Sequence, residues 1–514
     1  MSMLHKIVER TRADLVDIKA ARPAQQLLDK INQRGDVANP FLPCLRANAP
    51  MALLAEVKRA SPSKGDIAKG ADAPATALAY ALAGACTISV LTEPHWFKGS
   101  LNDLEQVRAS LVASGRSPGV CVLRKDFIVD EYQLLEARAH GADTALLIVA
   151  VLPADELVHL ISFSRNLGME PLVEVATEDE MATALAAGSK VIGINNRNLH
   201  TFEVDMGRTG RLAAMVPAGS DVFTIALSGV TCRSDVEAFA GVGAGAVLVG
   251  EALMRAPSPE ALISELLARP RQPPLCKICG LRDAEAAGVA AAAGADLIGM
   301  IFAKSKRQVD VQTAQAMVAA VRRERPRPAD WAMPPYLATN ADHQLTPRAW
   351  LLRWRALLTD AASKGGPLTV GVFVNSTVEE MNRIAEDVPL DLIQLHGDEG
   401  WSIAKQLVRP AIRVVHMEPG VSAADVVGSI EGGSAVAVLL DSKGGGTGKT
   451  FDWKVGAEVQ QLAPFILAGG LNPENVGSAV AAVTPWAFDV SSGVETDGVK
   501  DHEKIVAFVR AGKA

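Results

Sequence analysis

The chain of 514 residues has room for two domains of about 250 residues each. Its net charge of −7, with no basic stretch to offset it, excludes nucleic acid as a general partner. Six cysteines in a chain this long make no disulfide framework, and no run of about 20 uncharged apolar residues exists to span a membrane.

With charges throughout Met1–Ala20, no signal peptide is expected, and a cytoplasmic enzyme is the expectation. Within residues 1–48, Leu4, Ile7, Val8, Leu15 and Ile18 form part of a helical stripe. Pattern alone does not say whether that helix packs on a barrel wall or covers a barrel mouth. Eight apolar strand-like runs then alternate with helix-length stretches: Ala52–Val57, Thr87–Leu91, Val120–Leu123, Thr144–Val149, Pro171–Val175, Val191–Ile194, Val222–Ala226 and Ala246–Val249. Arg269 to Pro274, with three prolines, reads as a short stiff linker. Eight further runs follow: Leu275–Ile278, Leu297–Ile301, Thr369–Val374, Leu392–Leu395, Arg413–His416, Val436–Leu440, Phe465–Leu467 and Ala487–Val490. Alternating strands and helices predict an α/β chain of two consecutive (β/α)8 TIM barrels, the first with an extra N-terminal helical segment. The expected domains are 1–268 and 274–514, joined by a linker at 269–273. The stretch 324–367 is too long for an αβ loop and carries Trp331, Trp350 and Trp354. It is expected to lie on the N-terminal face of the second barrel as a partly ordered excursion, with an interaction patch as the alternative.

Glycine-rich strand ends occur twice. Ser228-Gly229 precedes Val249-Gly250, and Gly469-Gly470 precedes Ser491-Ser492, at the same interval of about 20 residues, one strand-loop-helix unit. Such barrels commonly grip a phosphate with the loops after strands 7 and 8. Glycine lets backbone N–H groups approach the oxygens with no side chain between. Each barrel is therefore expected to act on a phosphorylated small molecule.

Catalytic groups in such barrels sit at the C-terminal ends of strands. In the first barrel those ends carry Glu56 and Lys58, Lys125, Glu174, and Asn195 with Arg197. Alternation puts Glu56 and Lys58 on one face. Each charge alone reads as a solvated rim residue, but four strand ends agree, and an ammonium beside a carboxylate suits proton transfer on an anionic substrate. Glu56-Val-Lys58-Arg-Ala-Ser61-Pro-Ser63-Lys-Gly65, Lys125-Asp-Phe, Glu174-Val and Gly193-Ile-Asn195-Asn-Arg197 resemble indole-3-glycerol-phosphate synthase, over roughly residues 1–268. The resemblance implies closure of carboxyphenylamino-deoxyribulose phosphate to an indole, with loss of CO2 and water. It implies Lys125 as the acid at the substrate carbonyl, Glu174 acting on the proton lost in dehydration, Lys58 at the substrate carboxylate and as a second acid, and Glu56 positioning Lys58; which lysine is the acid in which step stays open. Asn195 and Arg197 would fix the anthranilate part, and Ser61, Ser228, Gly229 and Gly250 would hold the phosphate end. One position departs from the family pattern: Leu227 stands where many members have glutamate. An active site with a thinner carboxylate network is the expectation, and a disabled site the alternative.

In the second barrel, strand 1 ends in Cys276-Lys277-Ile278-Cys279-Gly280. Redox and zinc readings fit poorly, because no second cysteine or histidine pair follows at zinc spacing and the two thiols would face opposite sides of a strand. Cys279, at the strand end, is the better single thiolate. Gly444 to Thr450 lacks the first glycine of a phosphate-binding P-loop, since position 443 is lysine. Lys277-Ile-Cys279-Gly280, Ser305-Lys306-Arg307, Gln394-Leu-His396-Gly397, Leu440-Asp441-Ser442, Gly448-Lys-Thr-Phe-Asp-Trp453, Gly469-Gly-Leu-Asn472 and Asp489-Val-Ser-Ser-Gly-Val-Glu495 are similar to phosphoribosylanthranilate isomerase, from about 274 to 514. The resemblance implies an Amadori rearrangement, with Cys279 as base, Asp441 as acid, Arg307 on the anthranilate carboxylate, His396 in substrate binding, and Gly470, Ser491 and Ser492 on the phosphate.

The two implied reactions are consecutive in tryptophan synthesis. No cofactor or metal is implied, and the expected partners are small phosphorylated anthranilate substrates. Related fungal proteins add an N-terminal glutamine amidotransferase, so such a domain is a further expected partner in a longer product. A non-catalytic phosphate-binding scaffold and a regulatory role for the tryptophan-rich insertion are the rival readings.

Overall fold

The computed structural model describes residues 2–197, 203–270, 272–334, 345–418, 420–432, 434–442 and 452–514. Residues 1–271 and 272–514 form two compact units, each holding one closed barrel. The first is built from β1 (Ala52–Val57), β2 (Thr87–Leu91), β3 (Cys121–Lys125), β4 (Thr144–Ile148), β5 (Leu172–Val175), β6 (Val191–Asn195), β7 (Phe223–Leu227) and β8 (Ala246–Val249). The second is built from β9 (Leu275–Cys279), β10 (Leu297–Ile301), β11 (Leu368–Phe373), β12 (Leu392–Leu395), β13 (Ala411–Met417), β14 (Ala437–Ser442), β15 (Ile466–Leu467) and β16 (Ala487–Val490). Successive strands pair in parallel, and Ala52↔Ala246 and Leu275↔Ala487 close the two rings. Thus the α/β fold of two (β/α)8 barrels is the one the alternating pattern predicts.

Strand alternation decides what each barrel encloses. Ala52 and Leu54 of β1 join an interior layer with Leu123, Leu146, Leu172, Ile225 and Leu248, whereas Leu53, Ala55 and Val57 pack outward among the helices. Glu56, on the parity of Ala52 and Leu54, is therefore carried to the inside at the upper end of β1.

Three helices precede β1: α1 (Met3–Ala21), α2 (Ala24–Arg34) and α3 (Phe41–Ala47). The last closes the barrel floor. Phe41, Leu42 and Leu45 join the interior layer, and burying each stabilises by about 1.5–3 kcal/mol. Arg46 reaches Asp221, and the Cys44 thiol lies 3.3 Å from the Cys86 carbonyl oxygen; both partners lie just ahead of strands. At the opposite face, α1 is tied to the loops after β2 and β3 by Asp14–His95 (2.7 Å) and Lys19–Asp130 (2.6 Å). Leu4, Ile7 and Leu15 are buried on this helix, but Ile18 is 39% exposed, so the apolar stripe is narrower than its sequence spacing implies.

The insertion of the second unit holds a helix at Pro347–Gly365, started by Thr346, whose hydroxyl accepts from the Ala349 N–H. This differs from a partly ordered excursion. Trp350 and Trp354 are fully buried in the main core. The Trp350 indole donates to the Ala435 carbonyl at 2.7 Å, just ahead of β14, and the Trp486 indole, just ahead of β16, donates to Thr359 at 3.0 Å. The helix thus packs at the N-terminal ends of the strands, where two tryptophans bury area that an exposed loop could not.

Candidate active sites

At the upper end of the first barrel, one cavity is lined by Glu56, Lys58, Ser61, Lys125, Glu174, Asn195, Arg197 and Ser228. Met3, Leu4 and Ile7 of α1 line it from above, so the N-terminal helix covers the mouth. Of the two readings of that helix, the structure supports the cover.

Glu56 organises the cations. Its buried carboxylate lies 3.4 Å from Lys58 Nζ and 3.6 Å from Lys125 Nζ, and it accepts from the Ser89 hydroxyl at 3.4 Å. Burial opposes its ionisation, but Lys125 and Lys58 together outweigh that and hold the carboxyl below the usual range. Lys125 shows the complementary balance. Burial disfavours its ammonium, yet Glu56 and Glu174 raise its pKa above the ordinary value, so it stays a proton donor at neutral pH. Glu174 Oε1 accepts from Asn195 Nδ2 at 2.8 Å, while Asn195 Oδ1 accepts from the Ser228 hydroxyl and the Arg197 N–H, each at 3.0 Å. The asparagine thereby links β5, β6 and the loop after β7.

Loop anchors set the remaining walls. Arg59 grips Asp103 with two hydrogen bonds of 2.6 and 2.7 Å and fixes the turn that presents Ser61. Glu93 accepts from the backbone of His95, Trp96 and Phe97 and turns the Phe97 ring toward Lys58, 5.9 Å from its centroid. Gly229 has a left-handed φ of 94° and packs on Met206. A Cβ on Gly250 would lie 2.6 Å from Glu56 Oε1, so its bareness makes room for the carboxylate. Leu227 is buried in the interior apolar layer above Gly193, where a Cβ would come within 2.7 Å of the leucine methyl. Asn195 and Ser228 supply the polar groups next to it.

In the second barrel, Lys277 and Cys279 lie on one face of β9 while Cys276 packs outward in the core. Lys277 is fully buried, with Nζ 3.1 Å from Asp489 Oδ1 of β16. At the end of β14, Asp441 Oδ2 lies 3.9 Å from His396 Nε2. Burial, aided by the negative charge of Asp489, raises Asp441 from an ordinary 3.8 to about 6. Burial lowers His396 to about 4, helped by His416, Lys277 and Arg413, so that imidazole is neutral at pH 7. Gly469, at φ 84°, packs its bare α-carbon against Asp441 and the Ser442 N–H. Gly470 follows at φ 66°, and the Ser491 hydroxyl is buried with no partner among the described residues. Ser492 opens the short turn after it. Arg307 makes a two-point ion pair with Glu495, at 2.6 and 2.9 Å, and Lys500 Nζ joins Glu495 at 3.1 Å and donates to the Ser491 carbonyl. Against the cost of burial, Arg307 and Lys500 hold Glu495 down to about 2.

Lys277, Asp489, Glu495 and Lys500 were not singled out as site residues from sequence, although each belongs to a motif or follows one closely. Period-two alternation from Cys279 was the signal for Lys277. Asn198, Leu199 and the glycine-rich stretch Gly444–Thr450 lie outside the described residues.

Fold and sites together define a chain of two (β/α)8 barrels with buried ionisable groups gathered at the C-terminal ends of their strands. A family described as indole-3-glycerol phosphate synthase matches residues 4–266, and one described as N-(5'-phosphoribosyl)anthranilate isomerase matches residues 346–511. The chain belongs to the indole-3-glycerol phosphate synthase family, with a phosphoribosylanthranilate isomerase domain as its second half. It is 44% identical to the multifunctional tryptophan biosynthesis protein of Phycomyces blakesleeanus over 98% of this chain and 66% of that protein. It is 41% identical to a tryptophan biosynthesis protein of Phytophthora nicotianae over 100% of this chain and 97% of that protein. It is 46% identical to indole-3-glycerol phosphate synthase 1 of Streptomyces coelicolor over 54% of this chain and 98% of that enzyme. The chain spans 61–66% of the length of the fungal relatives it matches. No described helix is long and apolar enough to cross a membrane.

Proposed function

We propose that the chain catalyses two consecutive steps of tryptophan biosynthesis. The second barrel isomerises N-(5-phosphoribosyl)anthranilate to 1-(2-carboxyphenylamino)-1-deoxyribulose 5-phosphate, and the first cyclises that product to indole-3-glycerol phosphate with loss of CO2 and water. In the isomerisation, Asp441 gives a proton to the ribose ring oxygen as the C1–O bond opens, and the Cys279 thiolate takes the C2 proton. An acid raised to about 6 keeps a useful protonated fraction near neutrality. Arg307, His396, Gly470, Ser491 and Ser492 bind the two anionic ends and the sugar between them. In the first barrel, Lys125 protonates the carbonyl oxygen as the new carbon–carbon bond forms, CO2 leaves, and Glu174 receives the proton released in dehydration. Lys58, held by Glu56, pairs with the substrate carboxylate. Asn195 and Arg197 orient the aromatic part, with the phosphate toward Ser61, Ser228, Gly229 and Gly250.

The observation that carries this reading is the Lys58–Glu56–Lys125 chain at one cavity, facing Glu174 and Asn195. It supplies two ammonium groups and a proton acceptor to one substrate. Leu227 leaves that chain intact, which supports an active first site. The test is complementation in one tube. Lys125→Ala and Cys279→Ala variants are each expected to fail in converting phosphoribosylanthranilate to indole-glycerol phosphate, and their mixture to restore the conversion. A mixture that stays inactive while both variants are folded would count against two independent sites. The cytoplasm as location, and a glutamine amidotransferase domain in a longer product, complete the proposal.

A further inference from the structure

Lys277 has no role in the reaction as set out above, yet it is the one lysine with no exposed surface among the largest fully buried side chains. Barrel interiors are ordinarily filled by Val, Ile and Leu. A buried ammonium without a partner would lose its proton, and Asp489, 3.1 Å away, prevents that. The pair therefore holds a fixed positive charge beside Cys279, on the same face of the same strand.

We propose that Lys277, held charged by Asp489, is the positioning residue that stabilises the Cys279 thiolate and so makes that cysteine a base. The inference rests on the reading of Cys279 as the base of the isomerisation. Four charged groups face the thiol: Lys277 from its own strand, Asp489 from β16, Lys500 from the segment after it, and Arg307 from the loop after β10. Lys500 and Arg307 are both turned onto Glu495, and Lys277, on the same strand face as the thiol, is the cation that acts most strongly on the sulfur. Burial pushes the Cys279 thiol up, and Lys277 works most strongly against that push, while Asp489 adds to it. Cys276 on the outward face is the internal contrast: it is equally buried, and burial followed by the negative charge of Asp296 drives its thiol well above the ordinary range.

The experiment titrates the thiol. Ultraviolet thiolate absorbance is followed against pH in the full chain, using the matching Cys279→Ser protein as the blank in each background. Lys277→Met is expected to reduce the thiolate fraction at a fixed pH about tenfold, whereas Lys277→Arg keeps most of it. Asp489→Asn, nearly isosteric, removes the partner that keeps Lys277 protonated and is expected to reduce the thiolate fraction as well. A titration unchanged in both Lys277→Met and Asp489→Asn would overturn the proposal. Should Lys277→Met fail to fold, Asp489→Asn decides alone: an unchanged or larger thiolate fraction overturns it. The parent chain is assayed in parallel with phosphoribosylanthranilate. Turnover by the Cys279→Ser protein would remove the cysteine from the reaction whatever the titration shows. Normal turnover with a titration insensitive to both substitutions would remove only the role of Lys277.

Discussion

The two barrels solve the same problem with opposite charge balances. In the first, a buried carboxylate, Glu56, is shared by two lysines, and the proposed proton donor, Lys125, is an ammonium kept charged by its neighbours. In the second, the fully buried Lys277 is flanked by an aspartate and a thiol, and the proposed proton donor, Asp441, is a carboxyl whose ionisation burial opposes. The difference follows from what each site must protonate and deprotonate. On the proposed reactions, binding an anionic substrate and protonating its carbonyl oxygen favours surrounding cations. Abstraction of a weakly acidic C–H proton needs a base that can be poised without strong solvation. The floors differ as well: α3 closes the first barrel from the N-terminal side of the chain, and helix Pro347–Gly365 packs at the equivalent end of the second from within an insertion.

The largest expected effect separates the two sites. Lys125→Ala should lower the rate of indole formation about 10²- to 10⁴-fold and leave isomerisation unchanged; Asp441→Asn should do the reverse. Assaying each reaction with its own substrate checks this, and a folded variant that loses both activities breaks the separation. The floor comes next. Trp350→Ala should destabilise the second barrel by about 3–5 kcal/mol and leave the first barrel's denaturant midpoint in place. Urea unfolding followed by the separate enzyme activities would show it, and an unchanged second-barrel midpoint would mean that the helix is not part of the core.

A smaller effect tests the raised carboxyl of Asp441. The folded-state pKa of Asp441 is raised from 3.8 to about 6, so its contribution is fully present below pH 4 and is lost as pH rises through 6. Asp441→Asn should therefore be more stable than the parent at pH 8, by up to about 2 kcal/mol, and no more stable at pH 4. A stability gain that does not depend on pH would contradict the assigned cause. The smallest effect concerns the cover: Ile7→Ser, on the buried face of α1, should raise KM for the first reaction about three- to tenfold with kcat little changed. An equal fall in kcat would show that the helix acts on the chemistry itself.

Much of this was legible in sequence because barrel strands announce themselves twice, by apolar runs and by the polar residue that ends each run. Lys125 and Asn195 prolong their strands by backbone pairing beyond the apolar stretch, so the predicted ends stop just short of the functional residues. The cover was legible only as a stripe: Leu4 and Ile7 say that one face is buried, and nothing in their spacing says against what. The insertion misled because proline and length suggest a loose excursion, while Trp350 and Trp354 find their burial only against strands distant in sequence. Gly250 was read for its backbone, yet its contact with Glu56 depends on the meeting of β1 and β8. Lys277 sat in plain view inside a recognised motif, and only its complete burial against Asp489 marks it.

The most direct test supplies the chain with freshly made phosphoribosylanthranilate alone and follows anthranilate-type and indole absorbance together. The account predicts conversion through to indole-3-glycerol phosphate, with both sites active and Leu227 tolerated. Accumulation of 1-(2-carboxyphenylamino)-1-deoxyribulose 5-phosphate without indole would contradict it and place the defect in the first barrel.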